Sequence, residues 1–327
     1  MSYSPRTDLA IEARELHIKD VTDKNQSDGI EIEEQTTDYG ITVTRVKITN
    51  KAGENTLKKP KGTYITVELP DAELTEQLVY EEACRVCSEQ LSLLLKGKNP
   101  DNVLVIGLGN RNITADALGP KTCDSVLVTR HLLKFMPEEI DNRLNSVCAI
   151  APGVLGITGI ETLEIVKGIC EKAAPTLIIA VDALCSRSIK RINNTLQLTD
   201  TGIVPGAGIG NRRMAIDKST LGVPVIAIGV PTVVDAATIA GDAIDLIIDD
   251  LKANAKENLP LYKMLSVLAE EDKYSMIKQI LSPNECDFIV TPKEIDTAIT
   301  RISAVIANSI NLSLHEGITA EDIDRYK

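Results

Sequence analysis

The feature that most constrains this chain is an unbroken apolar run, Val103-Leu104-Val105-Ile106, which breaks at Gly107 into a polar loop. A strand without polar alternation is one covered on both faces, as in the parallel sheets of α/β proteins. The loop carries Asn110, Arg111, Asn112 and Asp116, and Gly119-Pro120 turns the chain into an expected helix. In open α/β sheets, reacting groups gather just outside the carboxyl ends of the strands. Asp116 falls at such a place. So does Asp182, which follows a second buried run, Leu177-Ile178-Ile179-Ala180-Val181.

From residue 71 onward, helical and strand patterns alternate, which predicts an α/β fold with a mostly parallel sheet sandwiched between helices. The expected strands are Val103–Ile106, Val147–Ile150, Leu177–Val181, Val225–Ile228 and Asp287–Val290, with Ile192–Leu198 as a more polar addition. Earlier runs at Ile30–Ile32, Ile41–Val46 and Tyr64–Val67 predict additional antiparallel strands, a β-rich appendage over residues 28–69. Turn-like Lys51–Asn55 and Pro60–Gly62 separate them. Thr158/Glu161 and Thr291/Glu294 have the spacing of capping boxes, and Thr232/Asp235 is the Asp-bearing variant. Ala237, Ala240, Ile244, Ile247 and Leu251 then keep a helical beat, as do Ile295, Ile299, Ile302 and Ile306. Residues 1–27 are polar without periodicity, the pattern of an arm or removable segment.

With no Trp and two Phe among 327 residues, the core must be built from Ile, Val, Leu and Ala. No apolar run approaches the ~20 residues that span a membrane, and the first residues are too polar for a signal peptide. The expectation is a cytoplasmic protein without membrane contact. A net charge of −12 argues against direct nucleic-acid binding, which draws on Lys and Arg. Seven cysteines without regular spacing read as reduced thiols. Cys84 and Cys87 form a CxxC, but they share an apolar helical stripe with Tyr80, Leu91 and Leu94. No second pair completes a zinc site.

Familiar catalytic and cofactor patterns are missing. Gly107-Leu108-Gly109 lacks the third glycine of a dinucleotide fingerprint, and Gly206-Ala207-Gly208-Ile209-Gly210 opens no clear helix. The three histidines, His17, His131 and His315, all fall away from strand ends, and Cys185 has no histidine near it in sequence. Glu161 and Asp235 are explained by capping. Asp116 and Asp182 remain, each alone explicable as a cap or Asx-turn residue. As a pair they can divide the work of general base and general acid, because two carboxyls sharing a site do not both ionise easily. With a third ligand, the same acids can hold a divalent metal.

Long motifs then point to a family. They are YSPRTDLA (3–10), GLGNRNITADALGP (107–120), LVTRHL (127–132), APGVLGITGIET (151–162), VDAL (181–184), DTGIVPGAGIGNRR (200–213), GVPVIAIGVPTVVDA (222–236) and VTPKEID (290–296). Over nearly its whole length the chain resembles the germination proteases of spore-forming bacteria, endopeptidases that degrade small acid-soluble spore proteins. The resemblance implies an unusual aspartic mechanism with Asp116 and Asp182 as the catalytic acids and no cofactor. It implies a fold like that of hydrogenase-maturation endopeptidases, whose corresponding acids help bind a metal, and this leaves a metal-assisted variant open. A non-catalytic binder of spore proteins is the alternative from another class. The resemblance further implies a homotetramer of the forespore and spore core, made as a self-processing zymogen. On this sequence the cut falls between Asp8 and Leu9, dividing a pro-segment, 1–8, from one peptidase domain, 9–327. The bond after Asp8 has an acid followed by an apolar residue, as the family's substrates do. Residues 1–8 then act as a plug near Asp116 and Asp182. Glycine-rich Gly206–Gly210 is a candidate source of N–H groups for the oxyanion.

Overall fold

The computed structural model describes residues 7–20, 28–70, 76–136, 138, 140, 143–206, 214–254, 277, 280–281, 288–319 and 322. The strands are β1 (Ile30–Thr36), β2 (Thr42–Ile48), β3 (Gly62–Glu68), β4 (Asn102–Gly107), β5 (Ser146–Ile150), β6 (Leu177–Ser186), β7 (Thr195–Thr199), β8 (Val225–Asp235) and β9 (Ile289–Val290). They form one sheet in the order β1-β2-β3-β7-β8-β6-β4-β5, with β9 paired to β8. The stretch β8-β6-β4-β5 is parallel; β1, β2, β3, β7 and β9 join by antiparallel pairing. The expected α/β sheet with added antiparallel strands is therefore present, and β7 makes those strands continuous with the main sheet.

Alternate residues of the parallel strands serve opposite layers. Val103, Val105, Ile179 and Val181 pack with the helices Gln77–Leu95 and Ile295–Leu314, while Leu104, Ile106, Ile178 and Ala180 pack with the helix Thr162–Ala173. This is why the strands carry no polar alternation. Cys84 and Cys87 lie buried in the first layer, as their helical spacing predicts. None of the described helices is long and apolar enough to cross a membrane.

Several expectations are corrected. Residues 10–20 are a helix, Ala10–Asp20, and Leu9, Ala10 and Ile11 are buried. Buried Glu12 anchors this helix by accepting from Arg187 N–H (2.7 Å), Ser188 N–H (3.0 Å) and Arg191 Nη1 (3.4 Å). Long-range partners of this kind leave no periodicity to read. Lys51–Leu57 is a helix, not a turn, because the Asn50 side chain accepts from Gly53 N–H. The helix after β8 starts at Ala236, with Asp235 accepting from Ala237 N–H (2.9 Å), while Thr232 stays in the strand. Likewise Glu161 and Glu294, not Thr158 and Thr291, hold the N-cap positions of their helices. β9 begins at Ile289 and is antiparallel; Asp287 lies outside the described residues.

Candidate active site

The site forms where neighbouring strands stop at different heights. β4 ends at Gly107, opposite Val181, while β6 and β8 run on together past it. Asp182 is therefore not beyond the end of its own strand, as expected, but within it, in register with Gly229. It emerges just past the end of β4, a step between strands of the kind that opens a crevice in α/β sheets. Asp182 is buried, and one carboxylate oxygen accepts from Ala183 N–H (2.9 Å).

Asp116 reaches the same place because the chain after β4 folds back on itself. Gly109, at φ +109°, takes a conformation that side-chain-bearing residues rarely adopt, and a Cβ there would lie 2.1 Å from the Asp116 carbonyl oxygen. Gly119 packs so closely that a Cβ would meet Leu108 N and Val181 O at 2.5 and 2.6 Å. The short helical turn Thr114–Asp116 then projects its acid, which accepts from Asn110 N–H at 2.8 Å. A bulge in β8 completes the support. Leu184 pairs with Pro231 and Cys185 with Val233, leaving Thr232 as the extra residue. Its hydroxyl donates to Ala115 O (2.7 Å), tying the Asp116 turn to β8. Thr291 Oγ1 in turn donates to Thr232 O (2.8 Å).

Asp116 and Asp182 line one cavity of about 200 Å³ together with Asp8. A second cavity, of about 350 Å³, is lined by Asp8 and Asp182 with Lys59, Tyr64 and Gln197. Asp8 thus lies at the junction of the two. Asp8 N–H donates to Cys185 O (3.0 Å), and Cys185 N–H donates to the Asp8 carboxylate (2.9 Å). The Asp8 carbonyl accepts from Lys59 Nζ (2.8 Å) and Gln197 Nε2 (3.2 Å). Leu9 follows at 0% exposure, against Ile11 and Leu184.

Cys185 is an inert neighbour: burial first, then Asp8 and Asp235, push its thiol up to about 12, so it stays protonated. His131 is exposed on the helix Arg130–Phe135 and His315 is buried at the end of the last helix, and neither lines the two cavities. Of the glycine-rich stretch, Gly206 lines both cavities, while 207–210 lie outside the described residues. A zinc-type site takes three protein ligands, one more than the two acids supply. Among the described residues no group of three His, Cys, Asp or Glu side chains is gathered to hold one. Lys59 and Gln197 were not singled out by the sequence, and Thr232 was read there only as a helix cap. A lone lysine in a turn, a glutamine in a strand and a threonine at capping spacing have no local signature.

Comparison with known proteins matches this sequence to a family. The model of the germination protease family matches residues 10–266 and 249–327. Germination proteases of Clostridium perfringens and Clostridium tetani are each 46% identical over 99% of this chain and 99% of theirs. That of Bacillus pumilus is 38% identical over 99% of this chain and 97% of its own. Among solved structures, the hydrogenase maturation protease HycI of Thermococcus kodakarensis is 15% identical. It covers 68% of this chain and 98% of that one, at a TM-score of 0.34, a loose likeness. With identity at this level along nearly the full length of both partners, this chain belongs to the germination protease family, a family of peptidases.

Proposed function

We propose that this chain is the endopeptidase that degrades small acid-soluble spore proteins at germination, working in the spore core as a homotetramer. In this reading it is made as a zymogen that removes its own residues 1–8, leaving 9–327 as the peptidase domain. Asp116 and Asp182 do the chemistry. One takes a proton from water as the water oxygen bonds to the substrate's carbonyl carbon. The other gives a proton to the amide nitrogen as the C–N bond breaks.

The observation that carries the reading is the position of Asp8, at the wall of the cavity that both acids line. An acid precedes the bond and a fully buried leucine follows it. A bond so placed is poorly open to a foreign protease, which needs an accessible and extended segment. Its own enzyme is the agent best placed to cut it.

The test is cleavage of purified small acid-soluble spore proteins by the processed chain, followed by mass mapping of the fragments. Cuts should fall between an acidic and an apolar residue, and Asp116→Asn or Asp182→Asn should each slow them by about 10²–10⁴-fold. Unchanged rates in both variants would refute the assignment.

A further inference from the structure

The contacts around Asp8 go beyond docking a plug. In a regular antiparallel pair, Asp8 and Cys185 would exchange two main-chain bonds. Only one of these forms, from Asp8 N–H to Cys185 O. Cys185 N–H goes instead to the Asp8 side chain, so the Asp8 carbonyl turns away from β6. It meets two side-chain donors there, Lys59 Nζ at 2.8 Å and Gln197 Nε2 at 3.2 Å, one for each lone pair. Gln197 also accepts from Ala10 N–H at 2.5 Å. Its amide therefore brackets the chain from the Asp8 carbonyl to the Ala10 nitrogen, with the Asp8–Leu9 bond between them.

We propose that Lys59 and Gln197 are catalytic residues that hold the carbonyl oxygen of the bond being cut, in the chain's own segment and in protein substrates alike. This rests on the reading of Asp8–Leu9 as a substrate bond. When water adds to that carbonyl carbon, the oxygen becomes an anion, and donors already aimed at it bind it more strongly than the neutral carbonyl. Gln197 is placed by its strand: β7 pairs with β3 on one side and β8 on the other, Gln197 opposite Thr66 and Gly229. Lys59 follows the helix Lys51–Leu57, where Lys58 takes a left-handed conformation (φ 52°) that turns the chain. Burial pushes the Lys59 ammonium below its ordinary range and Asp8 pushes it back up. A charge so poorly hydrated acts more strongly on a nearby anion than one in water. The acidic side chain sits on Cys185 N–H, and Leu9 sits in an apolar socket with Leu184. An acid followed by an apolar residue is what these two sockets accept.

The test uses full-length chain and a peptide spanning an Asp-Leu junction, with Lys59→Met, Lys59→Arg, Gln197→Leu and unmutated protein. Release of residues 1–8 is followed by intact mass, peptide cutting by kcat and KM, and folding by thermal melting. Lys59→Met and Gln197→Leu should each lower kcat by about 10²–10³-fold with much smaller changes in KM. Lys59→Arg, which keeps a cationic donor, should recover most of that loss. Folded variants that cut both substrates at the unmutated rate overturn the proposal, as does a Lys59→Arg variant that melts normally yet is as slow as Lys59→Met. If the unmutated chain cuts the peptide but keeps residues 1–8, self-processing fails, while a kcat loss in Lys59→Met still supports the carbonyl grip.

Discussion

Asp8 is both a side chain in a polar socket and the owner of a carbonyl aimed at two donors, and its titration couples docking to pH. Burial raises its carboxyl above the ordinary range. The Cys185 N–H bond and Lys59 oppose this, and Glu12 adds to it. The docked residue therefore holds a proton where the free chain has lost it. Docking is fully favoured below the free-chain value and weakens as pH rises through the docked one. In an Asp182→Asn chain, expected on the proposed mechanism to keep its segment, exchange of the Asp8 and Ala10 amides should slow, relative to the intrinsic rate, as the solution is made mildly acidic. Asp8→Asn should remove that dependence. Protection that grows with rising pH would contradict the sign. Asp116 and Asp182 themselves were legible because each follows an apolar run, and that run marks a buried strand whatever lies around it. Lys59 and Gln197 were not, because their meaning lies in what an N-terminal residue more than fifty positions away brings to them.

The bulge in β8 holds the Asp116 turn in place through a single hydroxyl. Pro231 has no N–H to give the ladder, and the strand accommodates it by letting Thr232 stand out of register. Thr232→Val keeps the shape and removes the bond to Ala115 O. We expect kcat to fall by about tenfold to a hundredfold through misplacement of Asp116, with little change in the melting temperature. Equal activity would mean that the turn is held by Gly109 and Gly119 packing alone. This element also shows where sequence reading misled. Thr232-Val-Val-Asp235 has capping spacing, yet it lies within the strand, where Val233 and Val234 pair with β6. Apolar residues before a helix serve a long buried strand as well as a short one, and periodicity cannot place the boundary. The helix Ala10–Asp20 was missed for the opposite reason: Glu12 and Arg191 hold it across the fold, and Arg191 also pairs with Glu15 (2.6 Å) and Glu68 (3.1 Å).

At the scale of the whole molecule, one sheet joins the parallel strands that bear Asp182 to the antiparallel strands that bear Gln197, with Lys59 just before β3. Residues 8–10 cross from one part to the other, Asp8 bonding Cys185 and Ala10 bonding Gln197. Alternating strands and helices made the α/β class readable, and the antiparallel beat of residues 28–69 made the extra strands readable. That β7 would splice the two into a single sheet depends on long-range pairing, which leaves no pattern in the chain. The central claim is that the acids at the step between β4 and β6 cut the bond after Asp8. Its most direct test is the intact mass of the purified full-length chain held at mildly acidic pH, beside Asp116→Asn and Asp182→Asn. The account predicts that the unmutated chain alone loses Met1–Asp8, with or without a chelator. Loss of the same segment at the same rate from both variants would contradict it.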